Sequence, residues 1–101
     1  MIIEESKEYY AEMKLYNEVM GIALAVWGNA GDCAIFQIID KALDNYNLQE
    51  LQCIKQSFDL LPEGVQSDIM ADLKNENTSA GIERLRETTA ALIKSNKART
   101  A

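Results

Sequence analysis

Carboxylates recur four residues apart in this chain, two cysteines sit among apolar neighbours, and a glycine pair interrupts the run "GIALAVWGNAGDCAIF" at residues 21–36. Each pattern names a chemistry. Paired acids can exchange protons, thiols can hold zinc or act as nucleophiles, and a glycine-rich turn before a helix can cradle phosphate. Each pattern also lacks the group that would complete it. The chain has no histidine, which removes the usual base near neutral pH and the Ser-His and Cys-His nucleophile pairs. Without histidine, Cys33 and Cys53 cannot complete a structural zinc site in one chain, and they read as two buried thiols in a reducing compartment. "DNYNLQE" holds acids and amides, but Tyr46 and Leu48 stand where a calcium loop needs oxygen ligands, and the central glycine is missing. No catalytic residue, metal site or cofactor is expected.

The glycine turn fails as a phosphate loop for an electrostatic reason. Asp32 follows Gly31, and a carboxylate at that helix start repels phosphate. The same acid argues against a nucleic-acid clamp of the GxxG kind. Asp32 suits an N-cap, and Gly28 suits the left-handed residue that ends a preceding helix. The segment is therefore expected to be a corner between two buried helices.

The elements that must position these groups are helical throughout. Good helix formers fill the chain, no strand alternation is present, and Pro62 is the one proline. The spacing predicts a long first helix from about Glu4 to Trp27, with Glu4, Glu5 and Glu8 at the positive end of its dipole. It carries two apolar stripes. Tyr9, Met13, Tyr16, Met20, Ala23, Leu24 and Trp27 form one, and Leu15, Val19, Ile22 and Val26 form the other. A second helix is expected over Cys33–Tyr46, with Ile35, Phe36, Ile39, Ala42, Leu43 and Tyr46 inward. Asn47 with Glu50 makes a capping box for a third, whose Leu51, Ile54, Phe58 and Leu61 form a core seam. Pro62 opens a short fourth helix bearing Val65, Ile69 and Leu73. "NENTS" at 75–79 reads as a linker, and a fifth helix begins at Thr78 or Ser79, with Ile82, Leu85, Leu92 and Ile93 on one side. Residues 1–101 are thus expected to be one all-α domain, a compact bundle of four to five helices with the N-terminal helix as spine and a frayed tail from about 96. The acidic opening is not a secretory signal, and no apolar run is long enough to span a membrane. A cytoplasmic location follows as an expectation.

Charge is distributed unevenly. Residues 1–78 hold five lysines against fourteen acids, a balance of −9, and residues 79–101 hold five basic residues against two acids, a balance of +3. Three carboxylate ladders are expected: Glu4, Glu8 and Glu12; Asp40 and Asp44; Asp68, Asp72 and Glu76. Like charges four apart on a helix repel by about 0.2–0.5 kcal/mol per pair, so five adjacent pairs oppose folding by about 1–2.5 kcal/mol. Acids about 5–6 Å apart resemble the charge rows of nucleic-acid phosphates. The ladders are therefore the expected contact surface for a protein partner with a basic, nucleic-acid-binding face. In design the chain resembles small phage- or plasmid-type inhibitors of host nucleic-acid machinery, including anti-CRISPR proteins. It carries no motif of any one family.

Two other readings stand beside this one. The second stripe of helix one (Leu15, Val19, Ile22, Val26) is expected as the interface of a self-associating structural or adaptor subunit. A DNA-binding regulator using Arg84, Arg86, Lys94, Lys97 and Arg99 ranks last. Those charges lack interleaved aromatics and sit beside a −9 body, a poor footprint for direct nucleic-acid binding.

Overall fold

The computed structural model describes residues 7–72 and 76–100, with the side chains of 76, 77 and 98–100 outside the description. It is an all-helical bundle of five elements: α1 (Lys7–Ala30), α2 (Ala34–Asp44), α3 (Leu48–Asp59), α4 (Glu63–Met70) and α5 (Glu76–Thr100). The long N-terminal helix is present, about 36 Å at ~1.5 Å per residue. Among the described residues, no helix is long and apolar enough to cross a membrane.

The core is one cluster. Val19, Ile22 and Val26 of α1 meet Ile35, Ile39 and Ala42 of α2, Leu51, Ile54 and Phe58 of α3, Ile69 of α4, and Ile82 and Leu85 of α5. Each fully buried Val, Leu or Ile stabilises the fold by about 1.5–3 kcal/mol relative to exposure. Most are β-branched residues on inward helical positions, which lets neighbouring backbones approach closely. Leu73, expected in this core, lies outside the described residues.

The glycine run is a helix–helix corner, built differently from the expectation. Gly28 lies inside α1, and Gly31 is the left-handed residue, with φ +67°. Its N–H donates to the Trp27 carbonyl at 2.8 Å, closing the last turn. Gly28 receives the Asp72 carboxylate, which a Cβ at that position would displace. Asp32 is not the N-cap of α2. Cys33 holds that position and makes no side-chain cap bond, while Asp32 Oδ1 accepts from Gln37 Nε2 at 3.3 Å.

The α2–α3 corner also differs. α2 stops at Asp44, and Tyr46 turns left-handed at φ 50°. Tyr46 therefore sits on the surface, 43% exposed, and not in the core. Asn47 caps α3 as expected, its side chain accepting the Glu50 N–H at 3.2 Å. Pro62 is the N-cap of α4. Gln66 Nε2 donates to the Leu61 carbonyl at 2.7 Å and the Asp59 carbonyl at 3.2 Å, so the end of α3 is satisfied from α4.

α5 starts at Glu76, so residues 76–79 of the expected linker are helical. It also continues through Thr100, past the point where fraying is expected. Asn96 Nδ2 donates to Cys53 Sγ at 3.5 Å, which ties that last stretch to α3. Two further devices seat α5. Thr89 Oγ1 donates to Ser57 Oγ at 2.9 Å, and Ser57 Oγ donates to the Cys53 carbonyl at 2.6 Å, all of it buried. Gly81 packs against α4 so closely that a Cβ there would overlap Val65 Cγ1.

Candidate functional site

The structure treats the three ladders differently. Glu8 and Glu12 lie one turn apart on α1, and Asp40 and Asp44 one turn apart on α2. Glu8, Asp40 and Asp44 are exposed, and Glu12 is half-buried. Glu4 and the Glu76 side chain lie outside the described residues. The third ladder does not form. Asp68 belongs to α4, but that helix ends at Met70, and Asp72 turns left-handed at φ 59°. The Ala71 N–H returns to the Ser67 carbonyl at 2.9 Å and the Asp72 N–H to the Ile69 carbonyl at 3.3 Å, so the chain has left the helix before residue 72. Aspartate tolerates this conformation better than most residues. Glu76 then opens a different helix. Of the five expected ladder pairs, Glu8–Glu12 and Asp40–Asp44 remain on the described helices, and the cost of the ladders falls to about 0.4–1 kcal/mol.

The stripe given from the sequence to an oligomer interface turns inward instead. Val19, Ile22 and Val26 are buried in the chain's own core, and Leu15 packs against it. Val19, Ile22 and Val26 therefore have no outward surface to offer a second subunit, and Leu15 is only partly exposed. The exposed stripe is the other one: Tyr9 is 46% exposed, Met20 38%, Leu24 67% and Trp27 51%. The compact β-branched residues fit the narrow space between helices, and the longer side chains are left outside.

α2 runs back along that outward stripe. Trp27 and Phe36 rings lie 4.9 Å apart at one end. Tyr16 and Tyr46 rings lie 5.7 Å apart at the other, where the Tyr46 hydroxyl donates to Glu12 Oε1 at 3.4 Å. Phe36, Asp40 and Asp44 fall at i, i+4 and i+8, one row of α2. Phe36 touches Trp27, and Asp40 and Asp44 follow it along the exposed side of α2. Partial desolvation, reinforced by the Glu12 carboxylate, raises the Tyr46 phenol above its ordinary range. α1 thus presents Met20, Leu24 and Trp27 to the outside, and α2, packed beside it, presents Asp40 and Asp44. The sequence contained this signal in the four-residue step from Phe36, but an α2 running to Tyr46 with that ring inward concealed it.

The remaining candidates are dispersed. Arg86 pairs with Glu83 on its own helix, which holds the Glu83 carboxyl below the usual carboxylate range, and reaches Glu87 at 3.9 Å. Arg84 and Asp68 line the same surface depression between α4 and α5. Cys33 is half-buried and Cys53 buried, both free. Burial pushes the Cys53 thiol up, against a smaller lowering by the Asn96 hydrogen bond, so Cys53 is not poised as a thiolate nucleophile. Among the described residues, no three His, Cys, Asp or Glu side chains cluster to hold a metal ion. No family model matches the chain, and no curated protein or solved structure does either.

Proposed function

We propose that this protein is a small non-enzymatic modulator, most simply an inhibitor, that binds a larger partner through the α1–α2 face. The observation that carries the reading is the exposed stripe Met20, Leu24 and Trp27 on α1, beside a helix whose Asp40 and Asp44 are also exposed. Protein interfaces enrich aromatic and Met side chains at a desolvated centre and keep the rim polar. Here the rim is acidic, so the complementary surface is basic, of the kind that otherwise holds nucleic-acid phosphates. Charge then steers the encounter and sets the register, while the apolar centre supplies residence time. Phosphate mimicry in this reading rests on Glu8, Glu12, Asp40 and Asp44, without Asp68, Asp72 and Glu76.

The test is a photo-crosslinking residue placed at Leu24, with Gln56 on exposed α3 as the control position, in cells of the native host. A discrete adduct should form from position 24 and not from 56. It should disappear when Asp40 and Asp44 are both changed to Lys. Equal adducts from both positions, or an adduct indifferent to the two lysines, would end the proposal.

A second reading is favoured by the same stripe: no charged residue occurs from Val19 to Gly31, and contiguous apolar surface of this kind also pairs identical subunits. It moves the homo-oligomer interface from Leu15, Val19, Ile22 and Val26 to Met20, Leu24 and Trp27. Sedimentation decides it. A monomer across the accessible concentration range removes the second reading, and a dimer dissociated by Leu24→Arg removes the first.

A further inference from the structure

A groove of about 420 Å³ opens between α2, α3 and α5. Ile38, Ala90 and Ile93 form its apolar floor, and Lys41, Lys94 and Lys97 stand around it with Glu50 as the one acid. Three of the chain's seven lysines therefore converge on a single depression of a protein whose net charge is −6. Helix C-termini favour cations, which accounts for lysine near the end of α2 and of α5. It does not account for their gathering around one half-buried apolar floor, where they repel one another. Among the described residues, neither Lys41 nor Lys94 has an ion-pair partner. Glu50 and Lys97 also line a smaller depression of about 50 Å³ at one end, beside Cys53 and Asn96. Lys41 and Lys94 are thus the cations belonging to the main groove alone.

We propose that this groove binds a small amphipathic carboxylate, its unbranched acyl chain along Ile38, Ala90 and Ile93 and its carboxylate between Lys41 and Lys94. Small-molecule sites are concave, mostly apolar and marked by a few polar groups, in the size range about 300–1,000 Å³. The groove is lined by three apolar contacts, which suits a small molecule lying along its floor. Decanoate, at about 30 Å³ for each of its twelve heavy atoms, needs roughly 360 Å³. The site is separate from the α1–α2 face and does not depend on it.

The experiment is an amide NMR titration of the full chain with sodium decanoate below its micelle concentration, repeated with 1-decanol and with butyrate. Decanoate should shift the amides of Ile38, Lys41, Ala90, Ile93 and Lys94 saturably. Decanol, with the tail and no charge, and butyrate, with the charge and a short tail, should each bind at least tenfold more weakly. Lys41→Glu with Lys94→Glu should weaken decanoate at least tenfold while circular dichroism stays helical. Equal affinity for decanol, retention of decanoate by the double variant, or no saturable shift of the lining amides would overturn the proposal. So would shifts confined to the Leu24 and Trp27 stripe. If the lining amides move with protein concentration alone, the groove seats a second copy and the carboxylate proposal falls.

Discussion

Replacing Gly81 with alanine should destabilise the protein, although it puts a better helix former in the middle of a helix. In an open helix the change gains about 0.8–1.0 kcal/mol. Gly81 is not in the open: an added Cβ would overlap Val65 Cγ1 of α4 and lie 3.7 Å from Ile69 Cδ1. Overpacking of this kind costs about 1–3 kcal/mol, so the net is a loss of roughly 0–2 kcal/mol. Gly21 supplies the reference. A Cβ there meets nothing within 4 Å, so Gly21→Ala should keep the whole propensity gain and stabilise by about 0.8–1.0 kcal/mol. Urea unfolding followed by circular dichroism reads both variants, and their midpoints should move in opposite directions from wild type. Adding Val65→Ala to Gly81→Ala removes the obstructing methyl, and the double-mutant cycle should show a favourable coupling of about 1 kcal/mol or more. A Gly81→Ala protein as stable as Gly21→Ala, or a cycle with no coupling, would refute the close α4–α5 crossing and the magnitude drawn from it.

Three further outcomes are expected. Ser57→Ala should cost about 1–3 kcal/mol, because it strands the buried Thr89 hydroxyl, and adding Thr89→Val should recover part of that loss; strictly additive losses in urea melts would contradict the shared network. Asp44→Lys should stabilise by about 0.3–1 kcal/mol from the end of α2, because the new pairing with Asp40 is offset by repulsion from Lys41 three residues before it, and the gain should shrink in 1 M salt, where the Debye length is about 3 Å; a salt-independent gain would point to another cause. Cys53 has a raised folded-state pKa, so its contribution is fully present below the unfolded value of about 8.5 and is lost as pH rises through the folded one. Between pH 7 and 9.5 the wild-type urea midpoint should therefore fall further than that of Cys53→Ala, and parallel declines would remove burial of the thiol as the cause.

Much of the fold was legible because periodicity is a local property. The inward rows Ile35, Ile39 and Ala42, and Leu51, Ile54 and Phe58, are spaced by the helix itself, and they are the observed core. The Asn47 cap was legible for the same reason, since donor and acceptor lie three residues apart. What escaped was decided between elements. α1 has two apolar stripes of similar strength, and only the packing of α2 to α5 determines that Val19, Ile22 and Val26 go inward while Leu24 and Trp27 stay out. The Asp68–Glu76 ladder looked continuous because Asp72, unlike glycine or proline, announces no break, and its turn is set against Gly28 forty-four positions earlier. The α1–α2 face and the lysine groove are both composites of two or more helices. Their residues were visible singly in the sequence, and their adjacency was not.

α5 carries one last consequence, which concerns time. Its Leu85, Ile82 and Thr89 complete a core that α1 to α4 begin. Fifty-nine residues separate the end of α1 at Ala30 from Thr89, and a ribosome adding about 5–20 residues per second needs roughly 3–12 s to cover them. For that interval the side of the bundle that α5 closes stays open to the cell, as does the outward flank of α1. A protein assembled this way is most vulnerable to aggregation and proteolysis before its last helix arrives.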